Sequence, residues 1–123
     1  VLVDAPCTGV GTFRRNPWAK VGFNEDAVMR VAAVQHSVLR DSAILVRPGG
    51  RLVYSTCTLT RRENENVVET FLRENGQFTL EPAGDILLKT GVQITSSSPY
   101  LMLLPHKTGT DGFFAAVLTK SLH

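Results

Sequence analysis

Long apolar runs are missing from this sequence: nothing approaches the ~18 consecutive apolar residues that a membrane-spanning helix needs. Cysteine is scarce, with two in 123 residues, Cys7 and Cys57, too few for the framework of a small disulfide-stapled secreted domain. An excess of one charge is nearly missing too. Thirteen Lys and Arg face eleven Asp and Glu, and a net charge of +2 does not by itself mark a nucleic-acid binder. There is no internal repeat, and Gly9-Val10-Gly11 does not complete a Gly-x-Gly-x-x-Gly phosphate loop because position 14 is Arg. What is present is 43% hydrophobic and 20% charged, with a mean hydropathy of +0.03. That composition builds a buried core and excludes disorder, collagen and coiled coil. A mass of 13.4 kDa allows one domain or part of one. The chain opens on a β-like run, Val1-Leu2-Val3-Asp4, with no Met, so it reads as a segment of a longer protein.

Val1-Leu2-Val3 has the pattern of a strand buried on both faces inside a parallel sheet. Residues 5–23 break every period with Pro6, Gly9, Gly11, Pro17 and Gly22 and form a long loop. Asn24 is an N-cap, followed by Glu25 and Asp26 where a helix dipole favours acids. Ala27, Val28, Val31, Ala32, Gln35, Val38, Leu39 and Ser42 follow helical spacing, and all but Gln35 and Ser42 are apolar. Pro48 stops that helix and Gly49-Gly50 turn the chain into a second strand, residues 51–55. Strand, helix and strand make a βαβ unit whose two strands are parallel. Thr60-Arg61-Arg62-Glu63 reads as a capping box opening a helix with Val67, Val68, Phe71 and Leu72, which ends near Asn75-Gly76. Phe78–Leu80 is a short strand, residues 83–99 are mixed, and Tyr100–Leu104 and Phe113–Thr119 are the last strands. The order β-α-β-α-β-β-β gives an α/β sheet, parallel at first and mixed at the end. An interior-type first strand without an upstream partner leaves an exposed edge, which implies that earlier strands belong to the same sheet.

Ligands of open α/β sheets bind beyond the carboxyl ends of the strands. Two segments leave strands at that edge: Asp4-Ala5-Pro6-Cys7-Thr8-Gly9-Val10-Gly11, and Ser55-Thr56-Cys57-Thr58. They hold both cysteines. Neighbouring strands lie about 4.8 Å apart, which would bring the two thiols into one crevice. A thiol there can be a small buried hydrophobe, half of a disulfide, or a nucleophile. The nucleophile needs an electropositive setting, which the helix opened at Thr60 and the nearby Arg61 and Arg62 would offer Cys57. Asp4, at the end of its strand, is either a structural cap or ion-pair partner or a proton donor for chemistry in the same crevice. The whole positive excess sits in residues 1–23, where Arg14, Arg15 and Lys20 oppose only Asp4. That fits a polyanion approaching the crevice, or a solvated loop. Trp18, beside Pro17, reads as a packing residue or as a platform for a base.

Asp4-Ala5-Pro6-Cys7-Thr8-Gly9-Val10-Gly11 with Arg14-Arg15-Asn16-Pro17 resembles the Asp-Ala-Pro-Cys motif of the Nop/Sun family of RNA cytosine-5 methyltransferases. Residues 49–58, ending Ser55-Thr56-Cys57-Thr58, resemble the family's Thr-Cys motif, with Glu63-Asn64 in its usual place after it. Leu104-Pro105-His106 and Thr110-Asp111-Gly112-Phe113-Phe114-Ala115 resemble its C-terminal motif. The resemblance implies a Rossmann-like class I methyltransferase fold, of which residues 1–123 are the C-terminal portion. It implies S-adenosyl-L-methionine as cofactor and RNA, ribosomal RNA above all, as substrate, in the cytoplasm. It implies that Cys57 attacks carbon 6 of cytosine, that Asp4 contacts ring nitrogen 3, and that Cys7 helps release the methylated base. Asp4 and Pro6 border the cofactor. Arg14, Arg15 and Lys20 are expected to face RNA phosphates, and His106, Asp111 and Phe113 to shape the substrate side of the crevice, the alternative for Phe113 and Phe114 being that one of them fills the core. The family's upstream Asp-x-x-Ala-x-Pro-Gly-Gly-Lys-Thr-type loop does not occur in this sequence. The chain alone is therefore expected to be inactive. A non-catalytic RNA-binding module and a Cys7–Cys57 redox switch are the alternative readings.

Overall fold

The computed structural model describes residues 1–9, 24–93 and 98–123. Arg14, Arg15, Trp18 and Lys20 lie outside the described residues. The elements run β1 (Leu2–Asp4), α1 (Glu25–Ala43), β2 (Arg51–Thr56), α2 (Glu65–Glu74), β3 (Phe78–Glu81), α3 (Ala83–Lys89), β4 (Leu101–Leu103), α4 (Pro105–Thr108) and β5 (Phe113–Lys120). They build a five-stranded sheet in which β1, β2, β5 and β3 lie side by side in that order. β1 and β2 are parallel, as the βαβ pattern predicts, with Val3 opposite Tyr54 and Asp4 opposite Ser55. β5 runs antiparallel to β2. β3 and β4 both pair with the other edge of β5, β3 along residues 117–120 and β4 along residues 113–115.

Helix α1 forms where its caps and spacing dictate. The Asn24 side chain accepts from the Ala27 N–H at 2.8 Å, and Glu25 and Asp26 occupy the first turn. The helix buries Val28, Gln35, Leu39 and Ala43. Together with Val67, Val68 and Phe71 of α2, that stripe covers the sheet face carrying Val3, Leu52, Tyr54, Phe114, Ala116 and Leu118. On β2 the alternation is plain: Leu52, Tyr54 and Thr56 are fully buried beneath the helices, and Val53 and Ser55 point the other way. Gly49, at φ +77°, makes the turn in a left-handed backbone conformation that L side chains rarely adopt.

Three expectations change. β1 is not buried on both faces: Val3 is buried, but Leu2 is 70% exposed. Helices α1 and α2 cover the face that carries Val3, and on the other face α3 packs over β5. This leaves an open apolar groove of about 450 Å³, lined among others by Leu2, Val53, Ile86, Leu87, Leu101 and Val117. Residues 83–89 of the mixed stretch form helix α3, too short to display a helical stripe in the sequence. Finally, α2 begins at Glu65 rather than after a cap at Thr60, because the Glu63 side chain turns inward instead of reaching back to the backbone. The Thr60 N–H donates to Thr58 Oγ1 at 3.5 Å. Among the described residues no helix is long and apolar enough to cross a membrane.

Candidate active site

β1 and β2 end side by side, and the chain leaves both at the same edge. The Ala5 N–H continues the ladder to the Ser55 carbonyl at 2.9 Å. Two residues further along each segment the thiols meet, with Cys7 Sγ 3.0 Å from Cys57 Sγ. Both cysteines are half-buried and unbonded, so the crevice expected from strand spacing exists and the disulfide reading does not describe this state. Asp4 is exposed at the end of β1 and borders the apolar groove with Leu2 and Ser55. Pro6 is exposed, and its carbonyl accepts from Gln35 Nε2 at 2.7 Å.

The threonines that follow the two cysteines converge on one side chain. The Thr8 N–H donates to Glu63 Oε1 at 2.8 Å, and the Thr8 hydroxyl to Oε2 at 2.8 Å. The Thr58 hydroxyl donates to Oε2 at 3.0 Å, and the Thr60 hydroxyl also donates to Oε2. Gln35 Nε2 approaches Oε1 at 3.3 Å. Glu63 is completely buried, and these neutral donors replace the water it has lost. Asn64 ties the same turn to the strand exit: the Thr56 hydroxyl donates to its Oδ1 at 2.5 Å, and its Nδ2 donates to the Thr58 carbonyl at 2.9 Å. From below, the buried Tyr54 hydroxyl donates to the Glu63 carbonyl at 2.6 Å. Gln35, Tyr54, Thr8, Thr58 and Thr60 were not legible as parts of the site. Gln35 carried a signal, as a polar residue inside an apolar helical stripe.

The remaining candidates separate. Arg61 and Arg62 do not turn to the thiols: Arg61 pairs with Glu65 at 3.3 Å and Glu69 at 3.6 Å, and Arg62 pairs with Glu25 at 3.8 Å. β4 ends and β5 begins at the sheet edge that carries Cys57, since Phe114 lies opposite Thr56 and Leu103 opposite Phe113. The connection between them brings exposed His106, on α4, and half-buried Asp111 to that edge. Phe114 fills the core, between Tyr54 and Tyr100, whereas Phe113 lines the groove.

Burial, and then the hydrogen bond with Cys57, push the Cys7 thiol up to about 12. Cys7 thus stays protonated at physiological pH, in contact with a second sulfur. The sign of the linked stability follows. An unfolded thiol titrates near ~8.5, so between that pH and about 12 the folded chain holds the proton that the unfolded chain has lost. The stabilisation is complete below the ordinary thiol range and is lost as pH rises through the window toward about 12. Urea midpoints of the unsubstituted chain should therefore fall more steeply than those of Cys7→Ala across the lower part of that window. Parallel slopes would refute the assignment. Comparing the two proteins removes the contribution of Tyr54, whose phenol burial also pushes up.

A Rossmann-like α/β sheet with two thiols and a carboxylate at adjoining strand exits defines a class: a domain that works on a ligand at the carboxyl edge of its sheet. The comparisons make this specific. Residues 1–119 match the family described as 16S rRNA methyltransferase RsmB/F, and the chain belongs to that family. It is 42% identical over 120 residues to "Probable ribosomal RNA small subunit methyltransferase B" of Bacillus subtilis (strain 168), covering 98% of this chain and 27% of that protein. Among solved structures, that of PH0851 superposes with a TM-score of 0.85 at 38% identity, covering 98% of this chain and 26% of that one. "NSun6 from Pyrococcus horikoshii with SFG" superposes with a TM-score of 0.80 at 32% identity, covering 99% and 29%. The chain spans about a quarter of the length of the curated relatives it matches.

Proposed function

We propose that this chain is the base-modifying, C-terminal portion of a methyltransferase domain that methylates carbon 5 of a cytosine in small-subunit ribosomal RNA, in the cytoplasm. The observation that carries the reading is the contact of Cys7 and Cys57, 3.0 Å apart at the exits of adjacent parallel strands, in a chain of this family. Carbon 5 of cytosine is a weak nucleophile. Addition of a sulfur at carbon 6 makes it enamine-like, which is why a thiol at the site is useful. The target base must leave its stack to expose that face.

In this reading the Cys57 sulfur, its proton having passed to water, bonds to carbon 6, ring nitrogen 3 takes a proton from water, and the Asp4 carboxylate accepts the hydrogen bond of that N–H. S-Adenosylmethionine, when bound, supplies an electrophilic methyl group to carbon 5. The protons on carbon 5 and on ring nitrogen 3 then leave to water, the carbon 5 electron pair restores the double bond, and the carbon–sulfur bond breaks. Cys7, a neutral thiol in contact with Cys57, assists this release by hydrogen bonding to the departing sulfur, which takes its proton from water. The residues present fit one border of a site for the cofactor. Asp4 is an exposed carboxylate beside the apolar Leu2 and next to Pro6, chemistry suited to the positively charged methionine end. The NSun6 structure was solved with SFG, an S-adenosylmethionine analogue, which supports the same cofactor. Arg14, Arg15 and Lys20 contact RNA phosphates, and His106 and Asp111 border the RNA from the β4–β5 connection. The chain by itself transfers no methyl group, because it supplies the base chemistry and only one border of the donor site.

The test is to incubate the intact protein carrying this chain with 16S rRNA and methyl-labelled S-adenosylmethionine, and to map the product by bisulfite sequencing. A single bisulfite-resistant cytosine is expected. Label on a ring nitrogen or a ribose oxygen would sink the proposal.

A further inference from the structure

We propose that Glu63 is the positioning residue of the thiol pair: its buried carboxylate fixes the segment after β1 to the segment after β2, and so sets Cys7 against Cys57. Thr8 is the residue immediately after Cys7, and Thr58 the residue immediately after Cys57. Both donate to the same carboxylate, Thr8 through its N–H and its hydroxyl, Thr58 through its hydroxyl. The two hydroxyls also lie 3.2 Å apart. Each sulfur is thus one residue from a shared anchor, and the anchor is fully buried, so water does not compete for it. Gln35 and Tyr54 hold the anchor itself, one at the carboxylate and one at the backbone carbonyl. Glu63 does not touch the sulfurs and does not react. It acts through the two threonines.

A carboxylate is the group this position requires. All its partners point hydrogens at it, and a carboxylate is acceptor-only. Glutamine has nearly the same shape but would turn its NH₂ either toward the Thr8 N–H and Gln35 Nε2, which can only donate, or toward the three threonine hydroxyls, which would have to reverse. The pocket would remain filled while the convergence is lost.

The direct readout is the equilibrium of the purified chain with glutathione. Two protein thiols are oxidised to the Cys7–Cys57 disulfide while one oxidised glutathione is reduced to two thiols. The equilibrium constant measures how well the fold presents one sulfur to the other. It needs neither RNA nor a methyl donor, so it is independent of the methyl-transfer reading. Glu63→Gln should lower it by roughly tenfold or more, and Thr8→Val, which removes only the hydroxyl donor, by about threefold. Unchanged constants in a cooperatively folding Glu63→Gln protein would overturn the proposal. If Glu63→Gln does not fold, Thr8→Val decides, and an unchanged constant there overturns it equally.

The consequence for turnover does rest on the methyl-transfer reading. In the intact protein, Glu63→Gln should still form the Cys57–RNA adduct but release it roughly tenfold more slowly, as displacement of Cys7 requires. A lowered glutathione constant, with no adduct even in the unsubstituted protein, supports the positioning role and refutes the covalent reading. An unchanged constant refutes the positioning role whatever the adduct does.

Discussion

Cys57→Ala in the intact protein should form no covalent adduct with 5-azacytosine RNA, and should lose methyl transfer by roughly a thousandfold or more, the cost typical of deleting a nucleophile. Cys7→Ala should behave oppositely on the gel. It should still attack the base, and on ordinary cytosine RNA its adduct should persist through denaturing electrophoresis while turnover falls by about a hundredfold. The two cysteines are alike in sequence context, each leaving a strand and each preceding a threonine. The structure distinguishes Cys7 as a thiol held neutral to about pH 12, in contact with the other sulfur. A thiol held neutral is a poor attacking group and a weak acid, so in the proposed mechanism it attends the release step by hydrogen bonding rather than by attacking the base. If Cys7→Ala formed no adduct and Cys57→Ala did, the two roles would be exchanged. If neither variant changed turnover, no sulfur would be covalent in the reaction.

Much of this arrangement was legible because local and tertiary signals agreed. Asn24, the apolar stripe and Pro48 bounded α1. The strand on either side of it implied parallel neighbours, and that alone placed Cys7 and Cys57 at one edge. Where the reading went astray, a distant partner had overruled a local rule. Thr60-Arg61-Arg62-Glu63 has the pattern of a capping box, yet Glu63 serves Thr8, which lies 55 residues away along the chain. Nothing in a window of a few residues reports that donor. The same holds for Leu2. Its apolar neighbours suggest an interior strand, and its exposure follows from where α3 packs, which the sequence around β1 does not encode. Arg61 and Arg62 lie near Cys57 along the chain, but each has a carboxylate within reach in space.

Phe114→Ala should produce the largest loss of stability of any single side-chain truncation on β5. The ring is fully buried, 5.0 Å from the Tyr100 ring and 6.4 Å from the Tyr54 ring. Its removal deletes apolar contact and leaves a cavity that two large aromatic neighbours cannot easily close, at a cost of about 3–5 kcal/mol. That is a large fraction of the ~5–15 kcal/mol available to a domain of this kind. Urea unfolding followed by far-UV circular dichroism would measure it, with Phe114→Leu expected to cost about half as much. Phe113→Ala is the internal control. It is the next residue on the same strand, but it faces the open groove and is only half-buried, so it should cost about 1 kcal/mol. The comparison bears on the site as well as the core. Phe114 lies opposite Thr56 in the β2–β5 register, and the Thr56 hydroxyl is bonded to Asn64, beside Glu63. A cavity at Phe114 therefore opens directly beneath the strand exit that carries Cys57. Equal costs for the two phenylalanines would mean that the groove face is as tightly covered as the helix face, against the exposure of Leu2 on that same face.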